Sequence, residues 1–334
     1  MQVAQLELVP RGLPSARAVM ERAGGESFPV AMRMLSRAHR RHLLAVYGFA
    51  RLADEIGDGY GRHPAPEPGR LAALDWLAGE LDDAYRGHAR HPLLVRLQET
   101  LRECELPRGA FRRLIEANRL DQRTTRYDSW DQLQDYCELS ANPVGELVLC
   151  VFELASPERI ELSNEVCTAL QLAEHIQDLA EDVRRGRFYL PAQDLASFDC
   201  SREQLCRLVS HAGRDLDLRG VPSASMAPSE DFRAVATRLR EAISFETARA
   251  HELLAAGVPL VAGVGGRPKL ALAGFVAGGR AALDAIECAR FEVLAGAPRA
   301  KRRRLAWMLA GVLAESRSAR VGEISARARV ERGA

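Results

Sequence analysis

The sequence predicts an all-α fold in which large helices surround a common core. Ala, Leu, Arg and Glu dominate the composition, and these residues favour helices. Runs of alternating β-branched residues, which would indicate strands, are missing. Apolar residues make up 47% of the chain, which is ample for one buried core. We therefore expect a single helical domain.

Helical patterns fill the first half of the chain after a loose lead-in over residues 1–25. The first long pattern runs from about Pro29 to Asp58 and stops at a proline-rich loop. Ser129 followed by Gln132 fits a capping box that opens a later helix. The other helices of this half are predicted at about 70–86, 92–105 and 108–123, and an interruption is predicted at 142–145.

The second half of the chain is predicted to hold three longer helices. Ser156 and Pro157 are a good helix start, because serine caps the helix and proline suits its first turn. This helix should run through Arg184 and end at Gly186. The remaining predictions are a loop at 213–229, helices at about 230–256 and 268–296 with a glycine break between them, and a frayed tail from about residue 316.

Composition excludes several classes of protein. Lys+Arg number 46 and Asp+Glu 45, so the net charge of +1 argues against a nucleic-acid partner. The seven cysteines are scattered and odd in number, which is typical of a reduced, cytoplasmic protein. We expect no secretory signal at the N-terminus and no membrane span, since no apolar run reaches about 18 residues.

The first polar stripe lies on the helix that ends near residue 58. Asp54 and Asp58 are four residues apart and therefore project from one helix face. Arg51, Tyr47 and Arg40 lie on the same face at helical spacing. The opposite side of the helix is apolar and carries Val46, Phe49, Ala53 and Ile56.

The second polar stripe has the same spacing of acids. Asp178 and Asp182 are again four residues apart, and Gln171, Glu174 and His175 precede them on the same side. Apolar residues cover the other side of this helix. Directly after the acids the chain carries three arginines and an aromatic pair, which are Arg184, Arg185, Arg187, Phe188 and Tyr189.

Taken singly, each stripe is better interpreted as a solvated helix face, because acidic pairs at this spacing cost only a few tenths of a kcal/mol. The repeat of the spacing on two long helices, with arginine beside the acids each time, favours a binding site. Carboxylates bind Mg²⁺, and Mg²⁺ binds phosphate oxygens. Arginines add bidentate phosphate contacts. The pattern therefore predicts a diphosphate held through metal, with an apolar and aromatic cavity for the carbocation left by ionisation.

The ordered set of motifs resembles the squalene/phytoene synthase family. Besides the two acidic pairs, the resemblance rests on Gly186-Arg-Phe-Tyr-Leu-Pro191 and Tyr47-Gly-Phe-Ala-Arg51, and it runs from about Ser27 to Leu294. Smaller matching pieces are Arg40, Asp121, Arg126-Tyr127, Tyr136, Val144-Gly145 and Gln171-Leu172. The resemblance implies a type I isoprenoid synthase fold with a central cavity. It divides the chain into the lead-in, a catalytic domain over 26–296, and a C-terminal helix and tail over 297–334.

The resemblance also implies roles for particular residues. The metal ligands would be the four aspartates Asp54, Asp58, Asp178 and Asp182, with Tyr47 and Tyr189 taking part in catalysis. The substrate and its diphosphate would contact Ser27, Phe28, Arg40, Arg51, Tyr136, Val144, Gly145, Gln171 and Arg187. Mg²⁺ is the expected metal and Mn²⁺ a substitute for it.

Three pieces of sequence resemble the bacterial hydroxysqualene synthase branch of the family, namely Glu26-Ser-Phe-Pro-Val-Ala31, Ser140-Ala-Asn-Pro-Val-Gly145 and Gly278-Gly279 ahead of Ala282-Leu-Asp-Ala-Ile286. That branch converts presqualene diphosphate and water into hydroxysqualene and diphosphate without NADPH. The chain departs from most of the family at Glu174 and Gln177, where Asn and Arg are usual. Glu174 is a third metal ligand or, with His175, holds the attacking water. His175 alone is more simply interpreted as a packing residue.

Two other functions stay open at this point. One is a condensing enzyme of the same family that makes presqualene diphosphate or phytoene. The other is a helical lipid-binding or assembly subunit without catalysis, against which both intact aspartate pairs argue. Expected partners are the prenyl diphosphate and, transiently, presqualene diphosphate synthase. The basic run Lys301–Arg304 is a solvated helix end or a contact with lipid headgroups at the inner membrane face.

Overall fold

The computed structural model describes residue 10 and residues 13–22, 35–59, 66–212 and 230–333, with side chains up to residue 318. No strand forms within these ranges, and one isolated bridge joins Arg126 to Phe188. The predicted all-α class is therefore confirmed. None of the described helices is both long enough and apolar enough to cross a membrane.

The described residues form a succession of helices with short connections. In chain order they are α1 (Ala16–Arg22), α2 (Arg37–Gly57), α3 (Glu67–Arg86), α4 (Pro92–Glu103), α5 (Arg108–Leu120), α6 (Trp130–Ser140), α7 (Asn142–Val151), α8 (Pro157–Gln177), α9 (Leu179–Arg184), α10 (Ala192–Ser197), α11 (Arg202–Ala212), α12 (Glu230–Ala262), α13 (Gly266–Cys288) and α14 (Arg302–Gly333).

Most predicted helices are confirmed within a few residues, but several boundaries are wrong. Helix α2 begins at Arg37 rather than at about Pro29, and α13 ends at Cys288 rather than at about residue 296. The interruption predicted at 142–145 lies at Ala141, because α7 already begins at Asn142.

Residues 16–22 form a helix where a lead-in was predicted. The helix that begins at Pro157 is interrupted at Asp178 rather than continuous to Arg184. Helix α12 continues past Pro259 to Ala262, because its tertiary contacts outweigh one lost backbone hydrogen bond. Helix α14 continues to Gly333 where the sequence predicts a frayed tail. The predicted loop at 213–229 lies outside the described residues.

The contacts divide the chain into two compact units. The first unit comprises Met1–Thr124 and Glu138–Ile160, and α2 is its central helix. Helices α3, α4, α5 and α7 pack around α2, and α1 also contacts it. The buried face of α2 meets α5 through an edge-to-face pair of Phe49 and Phe111, whose ring centroids are 4.9 Å apart. This packing fixes which face of α2 stays polar.

The second unit comprises Thr125–Cys137 and Glu161–Ala334. Helices α12, α13 and α14 pack on one another, and α10 and α11 pack against α12. Two glycines allow close helix contacts. A Cβ atom at Gly257 would lie 2.3 Å from the Val166 side chain, and one at Gly279 would lie 2.9 Å from Leu170. Helix α8, which carries the second polar stripe, is therefore held tightly against α12 and α13.

Arg249 links three segments of the second unit. Its guanidinium donates hydrogen bonds to Asp194 at 2.8 Å and to Glu246 at 2.7 Å. The same group lies over the ring of Trp130 at 4.4 Å and over that of Phe245 at 4.7 Å. Because Trp130 opens α6 and Asp194 belongs to α10, this one side chain holds both helices to α12.

Burial raises the pKa of Glu246 to about 8, and the neighbouring Asp194 carboxylate adds to the shift against the opposing effect of Arg249. A raised carboxyl pKa means that the folded protein binds the proton more tightly than the unfolded chain does. Stability from this group is therefore fully present below about pH 4.5, the ordinary pKa, and is lost as the pH rises through about 8.

We predict that Glu246→Gln, which imitates the protonated form, reduces the loss of thermal stability between pH 5 and pH 9. The measurement is the difference in Tm between the two pH values for wild type and variant. Glu241→Gln is the control, because Glu241 is an exposed carboxylate on the same helix. If the difference in Tm between pH 5 and pH 9 is the same in Glu246→Gln as in wild type, this carboxyl does not control the pH dependence of stability.

Candidate active site

The first polar stripe forms as predicted on α2. Ser36 caps the helix by accepting a hydrogen bond from the backbone N–H of His39 at 3.1 Å. Arg40, Asp54 and Asp58 are exposed. Tyr47, Arg51 and Leu44 are half-buried on the same side, and the opposite residues Val46, Phe49, Ala53 and Ile56 are buried. The acids therefore share one face of α2, with Asp58 as its C-terminal cap.

Arg51 takes part in a local ion pair within this stripe. Its guanidinium lies 3.3 Å from the Glu55 carboxylate, one turn along α2. Both side chains are largely buried, with exposed fractions of 26% and 13%. The ion pair restrains the predicted phosphate-binding arginine on α2.

Helix α5 supports the first acidic pair through residues that sequence reasoning missed. Asn118 is buried and donates a hydrogen bond from Nδ2 to Asp54 Oδ1 at 3.2 Å. Gln122 donates to the carbonyl of Gly57 at 3.1 Å, and Arg70 donates to the Gln122 side chain at 2.5 Å. The only signal in the sequence is the four-residue spacing of Asn118 and Gln122 near the end of a predicted helix.

The second acidic pair lies where the helix is interrupted. Helix α8 ends at Gln177, Asp178 has φ −95° and ψ 6°, and α9 begins at Leu179. Backbone bonds still cross the interruption, since the Asp178 N–H donates to the Glu174 carbonyl at 2.8 Å and the Asp182 N–H donates to Asp178 at 2.9 Å. Helical spacing is kept, and both acids remain half-buried on one side.

The carboxylates of this pair are held in an unfavourable environment. Burial raises the pKa of Asp182 to about 7, and the adjacent Asp178 raises it further in opposition to Arg187 and Arg185. Burial and the nearby Glu181 also raise the pKa of Asp178. Two partly desolvated acids that repel each other gain most from a bound cation. The donor set therefore fits a divalent metal.

No three His, Cys, Asp or Glu side chains gather into a metal-binding group in the part of the chain that the structure describes. Each aspartate pair supplies two carboxylates, which is the usual protein share for Mg²⁺, since this ion keeps waters and binds substrate phosphates. Glu174 is exposed one turn before Asp178. Its role as metal ligand stays a prediction.

The segment before α14 adds a cation that sequence reasoning missed. Gln177 donates a side-chain hydrogen bond to the carbonyl of Pro298, which fixes this segment at the end of α8. The charge of the next residue, Arg299, lowers the pKa of Asp178 against the effect of burial. Arg299 lies far along the chain from the acidic motif, and no spacing rule connects the two.

An aromatic cluster forms beside the second acidic stripe in the second unit. The rings of Tyr127, Tyr136 and Tyr189 have centroids 5.4–5.8 Å apart, and all three side chains are buried. The backbone places Tyr189 firmly, because the N–H of Phe188 donates to the Thr125 carbonyl at 2.7 Å. Tyr136 and Tyr189 were predicted site residues, and the structure brings them together.

His175 belongs to this aromatic cluster rather than to the exposed stripe. Its ring stacks on Tyr189 with centroids 3.8 Å apart and an interplanar angle of 10°. Burial lowers the pKa of His175 to about 3, with a further contribution from the charge of Arg187. The imidazole is therefore neutral at physiological pH. Gln171, a predicted binding residue, is half-buried and lies 3.2 Å from His175 Nε2.

The other predicted site residues have varied positions. On α7 of the first unit, Gly145 is buried and Val144 is half-buried. Arg187 is half-buried next to Asp182, as the pKa of that acid shows. Ser27 and Phe28 lie outside the described residues.

Comparison with known proteins identifies the class. The family model for squalene/phytoene synthase matches residues 21–221, which is more than half of the chain. The chain belongs to this family. It spans only 59–61% of the length of the first curated relatives that it matches.

Individual relatives carry several activities. Hydroxysqualene synthase of Rhodopseudomonas palustris is 32% identical over 65% of this chain and 72% of the relative. Presqualene diphosphate synthase of the same organism is 36% identical over 51% and 59%. Phytoene synthase of Arthrospira platensis is 32% identical over 54% and 61%. The predicted family is therefore confirmed, and these values do not separate its reactions.

Solved structures confirm the predicted isoprenoid synthase fold. The crystal structure of squalene synthase HpnC from Alicyclobacillus acidocaldarius has a TM-score of 0.67 and 35% identity, covering 83% of this chain and 93% of the other. A dehydrosqualene synthase in complex with ligand has a TM-score of 0.72 over 91% and 96%. At 19% identity the second likeness concerns the fold alone.

We predict that Gly57→Ala disturbs the first acidic pair. The added Cβ would lie 2.1 Å from Asn118 Oδ1, so Asn118 must move away from Asp54 or the two helices must separate. Overpacking of this kind costs about 1–3 kcal/mol. Denaturant unfolding should show that loss, and the magnesium concentration for half-maximal activity should rise.

Gly109→Ala is the matched control, because it lies on α5 with Asn118 and nothing is within 4 Å of an added Cβ. The control should match or exceed wild-type stability. Wild-type stability and magnesium dependence in Gly57→Ala would contradict the supporting role of Asn118.

Proposed function

We propose that the protein catalyses the magnesium-dependent ionisation of presqualene diphosphate and the capture of the cation by water, giving hydroxysqualene and diphosphate. The observation that carries the proposal is the second acidic pair. Its two partly desolvated carboxylates lie beside arginines on one side, while the neutral aromatic cluster lies in the same unit. A diphosphate bound through metal and a carbocation need these two environments.

Each group of side chains has one task in this mechanism. Asp54, Asp58, Asp178 and Asp182 would hold Mg²⁺. The bound metal would supply Lewis-acid neutralisation of the charge on the leaving diphosphate. Arg40, Arg51 and Arg187 would donate hydrogen bonds to diphosphate oxygens, and Arg299 adds positive charge near Asp178. These contacts strengthen as charge develops on the departing group, which is the condition for faster ionisation.

The aromatic wall protects and steers the cation. The C–O bond of presqualene diphosphate breaks with both electrons leaving on the diphosphate. The cyclopropylcarbinyl cation rearranges, a water oxygen forms the new C–O bond, and that water gives up a proton to the released diphosphate. The π faces of Tyr127, Tyr136 and Tyr189 stabilise positive charge without supplying a nucleophile. No electron pair is required from a reductant, so NADPH takes no part.

A second candidate is a condensing reaction that joins two allylic diphosphates. The 36% identity to presqualene diphosphate synthase and 32% identity to a phytoene synthase favour this candidate. The branch-like pieces of sequence around residues 140–145 and 278–286 favour the hydroxysqualene reaction. A non-catalytic subunit is the least favoured function, because such a protein has no physical need for two intact aspartate pairs.

The decisive experiment offers presqualene diphosphate and farnesyl diphosphate separately, with Mg²⁺ and with chelator. We predict hydroxysqualene from presqualene diphosphate, no product from farnesyl diphosphate, and no diversion to squalene when NADPH is added. Asp178→Asn should lose most diphosphate release. Glu161→Gln, an exposed acid on α8, is the matched control and should keep it.

Product from farnesyl diphosphate alone would establish the condensing reaction instead. Equal release by Asp178→Asn and wild type would contradict the role of the second acidic pair.

We also propose peripheral contact with the cytoplasmic face of a membrane, through the start of α14. Lys301, Arg302 and Arg303 are exposed, and Trp307 is 63% exposed one turn later. Arg304 instead pairs with Asp284 and lies over the Trp307 ring. Basic residues attract anionic headgroups, and tryptophan favours the membrane interface. Membrane contact would bring the enzyme close to a lipid-soluble substrate and product. It would also favour transient contact with the presqualene diphosphate synthase that supplies the substrate.

We predict that the protein sediments with vesicles containing anionic phosphatidylglycerol and not with neutral phosphatidylcholine vesicles. The triple variant Arg302→Ala, Arg303→Ala and Trp307→Ala should bind at least about tenfold more weakly, since each basic residue contributes about 1 kcal/mol. Arg233→Ala with Arg267→Ala removes exposed positive charge elsewhere and serves as control. Equal binding to both kinds of vesicle would contradict this contact.

A further inference from the structure

His175 has no part in the mechanism above, yet it makes a close ring contact. Its centroid lies 3.8 Å from that of Tyr189, with the planes within 10° of each other. Other ring pairs, such as His211 with Phe232 at 4.5 Å and Phe49 with Phe111 at 4.9 Å, are farther apart by centroid. A parallel contact at this distance restrains both rings.

The orientation of the His175 ring is itself restrained. The Gln171 side-chain nitrogen lies 3.2 Å from His175 Nε2, one turn earlier on α8. If the Gln171 amide donates this hydrogen bond, Nε2 is the acceptor and the imidazole proton is on Nδ1. Rotation of the imidazole would break the bond, and the exposed fraction of His175 is only 6%. The imidazole ring is therefore held in one orientation.

The partner in the stack has different neighbours. The Tyr189 centroid is 5.6 Å from Tyr136 and 5.8 Å from Tyr127, whereas His175 approaches Tyr136 no closer than 6.1 Å. Tyr189 is therefore the ring through which the His175–Gln171 pair connects to the rest of the aromatic cluster. In the proposed mechanism, a shift of the phenol plane would change the aromatic surface that the cation meets.

We propose that His175 is a positioning residue that holds the Tyr189 ring in one orientation and thereby controls how the cation is quenched. The proposal rests on the proposed function, because it concerns the quenching step of the same site. It requires no proton transfer to or from the imidazole. The stack selects the product, while the acidic pairs and arginines bind the diphosphate.

The test compares three substitutions of His175. His175→Phe keeps a flat ring for the stack and removes the contact with Gln171. His175→Leu fills a similar volume but cannot stack. His175→Ala removes both the stacking ring and most of the side-chain volume. His91 supplies the matched control, His91→Ala, because its ring packs edge-to-face on Trp76 at 5.7 Å in the first unit. The readouts are product ratio, kcat, KM, and inhibition by inorganic pyrophosphate with Mg²⁺.

We expect His175→Leu and His175→Ala to change the ratio of the main product to side products by about two- to tenfold, since an aromatic pair contributes about 0.5–1.5 kcal/mol. Inhibition by pyrophosphate should stay within about twofold of wild type, because the diphosphate contacts are intact. His175→Phe should restore at least half of the wild-type ratio. His91→Ala should lower Tm without changing the ratio.

Two results would overturn the proposal. The first is a product ratio in His175→Phe that is as altered as the ratio in His175→Leu. This result would mean that the imidazole nitrogens act directly. The other is a wild-type product ratio in His175→Leu, which would leave His175 as simple packing. If wild type yields a condensation product instead of hydroxysqualene, the proposed function fails. The ratio among that enzyme's own products still tests the stack.

Discussion

The repulsion between two half-buried carboxylates is the constraint on which the rest of the second unit depends. Asp178 and Asp182 are held at helical spacing in a place where burial raises the pKa values of both. Such a pair is tolerated only where cations can compensate it. Arg187 and Arg299 come from different segments and supply part of this charge. In the proposed function a divalent metal with a diphosphate would supply the remainder, so the feature that destabilises the isolated pair would also favour binding.

The aromatic cluster provides an uncharged environment, in contrast to the acidic pair. In the proposed mechanism a carbocation needs polarisable faces, and the rings of the three tyrosines would provide them. The rings of the cluster come from α6 and the segment before it, from α8, and from the segment before α10. Their mutual distances therefore depend on how those elements are held. Arg249 contributes by joining Trp130 at the start of α6 and Asp194 of α10 to α12. Arg249 thus supports the arrangement of the tyrosine rings through the helices that it joins.

Support of the same kind appears at the first acidic pair. Asn118 holds the Asp54 carboxylate, and the absence of a side chain at Gly57 leaves room for it. Gln122 and Arg70 extend this polar contact toward α3. The Asp54 carboxylate is thereby oriented by α5 as well as by its own helix. Sites that bind metal generally depend on such surrounding hydrogen bonds.

The sequence by itself determined the all-α class, most helix positions, both acidic pairs and the family, because helical periodicity and ordered motifs are local properties of the chain. Only the tertiary structure decided which distant side chains support those motifs. Arg299 beside Asp178, Asn118 beside Asp54 and the stack of His175 on Tyr189 join residues that no spacing rule relates. It also decided that α8 stops at Asp178 and that α12 passes Pro259. At Pro259 the packing of α12 against α13 and α14 outweighs a local preference of about 3 kcal/mol.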